Sequence, residues 1–315
     1  MRRSFTDYLL VGLRGMGMGA ADVIPGVSGG TIAFITGIYE ELIHSIKSIN
    51  AGFLRILFKE GIVSAWKHIN GTFLLTVLGG VLISIFSLAR LISWLLANHE
   101  KLVWAFFFGL IIGSAVYIGR KIDRWSLFTI LMLIVGTAIA FYVTVATPAS
   151  TPQTLWFVFI SGSIAICAMI LPGISGSFIL LLLGKYEFML NAVRDLQADV
   201  LAVFAVGCAI GLVAFSNIIS WFFKNFPNAT LGVLSGFMIG SLNKLWPWKE
   251  VLETRITTAG EEVPFLEKNI SPERYSQVTG EDPLVFQVLI FAFIGMAIIF
   301  VFEYLQSKKQ EKKPA

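Results

Sequence analysis

Apolar runs of membrane length, separated by short polar or charged punctuation, dominate the chain. They predict spans at 72–96, 102–119 and 126–146, and again at 200–223, 229–245 and 284–305. Each compares with the roughly 17 to 25 apolar residues that cross a bilayer core. Ahead of each set, an apolar stretch runs into a Pro-Gly-x-Ser-Gly break and resumes beyond it. Proline removes a backbone donor and clashes with the preceding turn, so a helix should end near Pro25 and again near Pro172. A second helix can start at Ser28 or Ser175, good N-cap residues, making broken hairpins of 8–46 and 154–193. Between the first hairpin and its spans, 53–69 puts Phe53, Ile56, Leu57, Val63 and Trp66 on one face, with Arg55, Lys59 and Lys67 elsewhere. That pattern suits a helix lying in the membrane interface.

The two breaks belong to an internal repeat. ADVIPGVSGGTIAFITGIYEELIHSI, from Ala21 to Ile46, aligns without a gap on AMILPGISGSFILLLLGKYEFMLNAV, from Ala168 to Val193. Farther on, Gly80 to Ser114 aligns with Gly207 to Ser241, matching Ser93-Trp94 with Ser220-Trp221 and Gly109, Gly113 and Ser114 with Gly236, Gly240 and Ser241. The first repeat is therefore 1–147 and the second 148–315, with a long extracytoplasmic loop at 246–283. A hairpin crosses an even number of times and three spans an odd number, so the halves must be oppositely oriented. The expected fold is an all-α polytopic membrane protein of two inverted-topology repeats, a plan used by many secondary transporters. Charge agrees: Arg2-Arg3, Lys47, Arg55, Lys59, Lys67, Arg120, Lys121, Arg124, Lys224, Lys308, Lys309, Lys312 and Lys313 all fall on one side. By the positive-inside rule both termini are cytoplasmic.

Composition narrows the class further. The 315 residues are 56% hydrophobic and 14% charged, with a mean hydropathy of +0.78, which excludes an ordinary soluble domain. The net charge of +4 is a topology signal and implies no nucleic-acid partner. Cys167 and Cys208 both sit in apolar stretches, so no disulfide framework is expected. Arg2-Arg3 before an apolar run imitates a signal peptide, but Arg14 interrupts that run and the run belongs to the first repeat, so it is read as retained.

The candidate chemistry gathers at the breaks. A helix start leaves backbone N–H groups without partners and carries a positive dipole end, which together attract anions. Ser28, Gly29, Gly30 and Thr31 in one half, and Ser175, Gly176 and Ser177 in the other, would bring two such ends together near the midplane. The competing reading is that these small residues merely allow close helix packing. Ionisable groups within the membrane usually face a pathway or a partner. Arg14 is a candidate headgroup ligand and Asp22 a candidate coupling carboxylate; alternatively the two form a structural pair. Arg90 either meets an anionic headgroup or snorkels to the surface. Glu40 and Glu187 could carry a coupling ion or simply end their arms at the interface. His44, His68 and His99 have no metal-ligand spacing, and no cofactor is implied.

At ADVIPGVSGGTIAFITGIYEELI (21–43), LPGISGSFILLLLGKYE (171–187) and the Gly-xxx-Gly-Ser elements at 109–114 and 236–241, the sequence resembles the bacterial polyprenyl-phosphate transporter family. The resemblance covers nearly the whole chain. It implies a flippase in the bacterial cytoplasmic membrane that returns undecaprenyl phosphate to the cytoplasmic leaflet for reuse in peptidoglycan and other envelope glycans. The substrate would be a lipid phosphate, with membrane lipids around it and protein partners unspecified. Half two has Ser177-Phe178 where half one has Gly30-Thr31, which breaks exact symmetry. A proton or sodium gradient would drive the step. A secondary transporter of small anions would use the same helix ends, whereas a lipid phosphatase would need a nucleophile with a positioned partner, and the sequence offers no such cluster.

Overall fold

A computed structural model describes residues 3–24, 27–149, 151–256 and 262–311 of the chain. Pro25 and Gly26 of the first motif, Arg2, and the terminal Lys312 and Lys313 lie outside the described residues. The protein is mostly helical, and among the described residues five helical stretches are long and apolar enough to cross a membrane.

The first hairpin opens with α1 (Phe5–Asp22), started by a capping box in which Ser4 and Asp7 exchange side chain-to-backbone hydrogen bonds. Beyond the break come α2 (Gly29–Ile35) and α3 (Tyr39–Lys47). The arm expected as one helix over 28–46 is thus two, because Gly37 turns with a φ of 74°. The predicted interfacial helix also divides, into α4 (Ala51–Glu60) and α5 (Ile62–His68), at Gly61 with φ 87°. Its apolar side is bare: Phe58, Ile62 and Val63 are exposed. The spans expected at 72–96 and 102–119 are both present within α6 (Gly71–Arg120), two helices joined at a kink where His99 leaves helical geometry. α7 (Leu127–Val145) closes the first half.

Next, α8 (Leu155–Ile170), α9 (Gly176–Leu182) and α10 (Tyr186–Arg194) form the second broken hairpin, in which α9 and α10 bend by 106° around Gly184. α11 (Ala198–Asn225) follows, then α12 (Pro227–Ser241), which stops short of the expected 229–245. The membrane helices agree with the all-α expectation, and the loop at 246–283 adds a two-stranded sheet to them. There β1 (Lys249–Ile256) pairs antiparallel with β2 (Glu262–Asn269), from Lys249 opposite Asn269 to Ile256 opposite Glu262, and α13 (Pro272–Thr279) precedes α14 (Val285–Glu311). These strands were missed because they are polar, and a charged hairpin lacks the apolar alternation that marks a strand.

Packing is organised by glycines, several of which the alignment of 80–114 with 207–241 pairs. The Val77 carbonyl fills the space that a Cβ on Gly15 would need, and the Phe204 carbonyl does so at Gly162. The Gly12 carbonyl crowds Gly80 as the Phe159 carbonyl crowds Gly207. These contacts lay α1 along α6 and α8 along α11. Likewise Ala292 of α14 crowds Gly109, and Leu133 of α7 crowds Gly236. Small residues let helix backbones approach where lipid offers no hydrophobic drive for association. The buried core that results, including Val11, Ile24, Phe34, Tyr39, Ile111, Leu234 and Met238, surrounds the two breaks.

Candidate functional site

The two breaks interlock. Ser28 is the N-cap of α2; its Oγ accepts from Gly30 N at 3.1 Å and donates to the Met169 carbonyl, at the end of α8, at 2.9 Å. Thr31 Oγ1 accepts from Gly173 N at 3.0 Å. The Ile170 carbonyl lies where a Cβ on Gly30 would stand. Ser28 and Thr31 are wholly buried, so side chains of the first break supply polar partners to the broken backbone at Met169 and Gly173 of the second.

The two helix starts are unequal. Asp22 turns its carboxylate onto α2, and Oδ1 accepts from Gly29 N at 2.7 Å. That end already holds an anion belonging to the protein. At α9 the position equivalent to Asp22 is Met169, and no side chain caps the helix. Ser175 Oγ pairs instead with Ser177 Oγ at 2.8 Å. Gly173 carries φ 86°, which only glycine adopts without strain, and the Ala165 carbonyl backs Gly176.

The other predicted site residues do not converge on the breaks. Arg14 is half-buried two helical turns before Asp22, and the charges acting on it are Arg3, Glu41 and Asp7, so the Arg14–Asp22 pair is not formed. Arg90 is exposed on α6 and makes no ion pair among the described residues. Glu40 is exposed and Glu187 half-buried, each in the first turn of a helix beyond the bend, α3 and α10.

Sequence reasoning missed three charged groups. Arg3 pairs with Glu41, which also accepts from Asn70 Nδ2 at 2.8 Å. Lys185, buried at the α9–α10 bend, donates to the Thr151 carbonyl at 2.9 Å, with its Nζ 5.2 Å from the Phe157 ring centre. Lys244 and Lys249 both reach Glu267, and Lys244 Nζ also stands 5.4 Å from the ring centre of Phe178 on α9. The only sequence signal was a lysine (Lys185) in the GKYE of the second copy, where the first has Ile38.

Burial pushes the Lys249 ammonium down to about 8, against the pull of Glu267. Burial alone would raise the Glu267 carboxyl, but Lys249 and Lys244 outweigh it and hold it below the ordinary glutamate value. An unfolded lysine titrates near 10.5, so between the two values the unfolded chain keeps a proton that the folded cap has shed. The cap should therefore gain stability as pH rises from about 8 to about 10.5, and lose that gain in Lys249→Met. Thermal melting followed by fluorine NMR of a fluorinated Trp248 would read both.

Among the described residues, no three of His, Cys, Asp and Glu are grouped to hold a metal. Five long apolar helical stretches among the described residues, packed with two broken hairpins, make this a multi-pass membrane protein. The chain belongs to the undecaprenyl phosphate translocase-like (VCA0040-like) family, whose model matches residues 18–263. It is 47% identical over 302 residues to a polyprenyl-phosphate transporter of Vibrio cholerae, covering 96% of this chain and 98% of the relative. It is 35% identical over 253 residues to a polyprenyl-phosphate transporter of Staphylococcus aureus, covering 75% of this chain and 85% of that one. No solved structure gives a significant match. By family and relatives, the protein is a transporter and not an enzyme.

Proposed function

We propose that this protein transports polyprenyl phosphate, returning it from the outer to the cytoplasmic leaflet of the bacterial cytoplasmic membrane for reuse in envelope glycan synthesis. The observation that carries the reading is the inequality of the interlocked breaks: Asp22 and Ser28 cap the α2 start, while no side chain caps the α9 start. A phosphate would sit at Ser175, Gly176 and Ser177, beside the Ser28–Thr31 turn. Arg14 lies back along α1 with Arg3 and Glu41, where a headgroup would pass after leaving the break.

Two inverted repeats, 1–147 and 148–315, account for the paired glycine contacts. They also account for Lys47 bonding Ser220 and Arg120 pairing with Glu303, residues that the charge pattern puts on the cytoplasmic side with both termini. An apolar groove of about 580 Å³ between α7 and α12, lined by Leu133, Ile134, Thr137, Phe141 and Ile239, lies on the helix whose Phe237 and Met238 back Gly173. Its apolar lining is chemically suited to a hydrocarbon tail.

Purified protein in liposomes should accelerate leaflet exchange of polyprenyl phosphate. Carriage of a small anion with no lipid movement would replace this reading with the anion transporter. Asp22 is the coupling candidate, and Asp22→Asn separates its roles, because an amide oxygen can still accept from Gly29 N but carries no charge. The variant should fold and exchange lipid but no longer respond to an imposed proton or sodium gradient. An undiminished response would remove Asp22 from coupling.

A further inference from the structure

The described residues of the loop at 246–283 pack as a cap, with Lys244 against Phe178 of α9 and Lys249 against Trp104 of α6. Asn269 Nδ2 donates to both the carbonyl and Oδ1 of Asn243, at 2.7 and 2.9 Å, and Asn243 Nδ2 donates to Thr144 Oγ1 at 2.9 Å. The Trp246 and Trp248 indole N–H groups bond the carbonyls of Ile270 and Pro283, each at 2.8 Å. Held by this strap, Lys244 Nζ and Lys249 Nζ approach the same oxygen, Oε2 of Glu267, at 2.8 and 3.4 Å. The side chains are 22%, 8% and 17% exposed for Lys244, Lys249 and Glu267. Lys249 also lies 4.2 Å above the Trp104 ring, while Glu100, the next carboxylate to act on it, is exposed and accepts from Trp104 Nε1 at 3.0 Å. Lys101, nearby on α6, is engaged with Glu281 at 2.9 Å.

Two largely buried ammoniums sharing one carboxylate oxygen carry a surplus positive charge that desolvation makes costly and a second anion would relieve. Lys244 stands on Phe178, in the first turn of the helix whose start no side chain caps. We infer that Lys244 and Lys249 form the capture site for a phosphate monoester on the extracytoplasmic side, with Glu267 as the built-in anion that the phosphate displaces from Lys244. The inference rests on the transport reading above for its lipid ligand. A bridge that only latched the β-hairpin to the helices would also join these residues, but it would respond differently to mutation.

The test is binding of farnesyl phosphate, farnesol and inorganic phosphate to the purified full chain. Lys244→Gln should weaken farnesyl phosphate binding about tenfold, the loss of one charge-assisted hydrogen bond. Glu267→Gln, by removing the competing carboxylate, should tighten it about fivefold, and Lys244→Arg should restore most of the affinity. A purely structural latch predicts instead that Glu267→Gln weakens binding or leaves it unchanged, and either result overturns the inference. If Lys244→Gln does not fold, the sign of the Glu267→Gln effect decides alone. If the native chain binds inorganic phosphate as tightly as farnesyl phosphate, with both changed by the two variants, the capture site stands and the lipid reading falls. If it binds farnesyl phosphate but neither variant alters affinity, the lipid reading stands and the capture site falls.

Discussion

Gly30→Ala is expected to reduce transport at least tenfold while the protein remains inserted in the membrane. The Ile170 carbonyl occupies the position of the added methyl group, and neither backbone can retreat without separating Ser28 from Met169 O and Thr31 from Gly173 N. Overpacking typically costs about 1–3 kcal/mol, and each buried hydrogen bond lost adds about 1 kcal/mol. The break should therefore reopen or shift register. Gly79→Ala is the matched control, because nothing lies within 4 Å of its Cβ position. Leaflet exchange in liposomes reads both variants; equal activity would mean that the interlocked breaks are not the transport site.

The second large effect is on stability. Gly236→Leu and Gly109→Leu should each lower stability by about 3 kcal/mol, near the upper end of overpacking costs, and by amounts within about 1 kcal/mol of each other. At Gly236 the obstacle is the Leu133 carbonyl, at Gly109 the Ala292 carbonyl, and both are backbone atoms that cannot rotate aside. Thermal unfolding in detergent, with Gly79→Leu as reference, measures the pair. A large loss at one position and none at the other would show that the alignment of 80–114 with 207–241 does not describe equivalent packing.

Much of the fold is legible in the chain because its signals are local. Apolar runs mark the membrane helices, and proline, glycine and serine mark the ends at the two breaks. Signals that failed were local too, but ambiguous. Gly37, Gly61 and Gly184 sit in apolar or amphipathic stretches that read as continuous helix, yet each takes a positive φ and turns the chain. The polar strands β1 and β2 had no apolar face to announce them.

The candidate site divides along the same line. The sequence by itself determined that the chain is a membrane protein, that it breaks twice at corresponding motifs, and that Ser28 and Ser175 begin the helices beyond, since helix ends depend on a few adjacent residues. Only the tertiary structure decided that Asp22 turns to Gly29 and not to Arg14, that Thr31 serves the break containing Gly173, and that Arg90 faces outward. It alone decided that Lys244 meets both Phe178 and Glu267. Several of these contacts join segments far apart in the chain, and all depend on which helix face is buried. The packing of glycine surfaces sets those faces, and no short stretch of sequence carries that information.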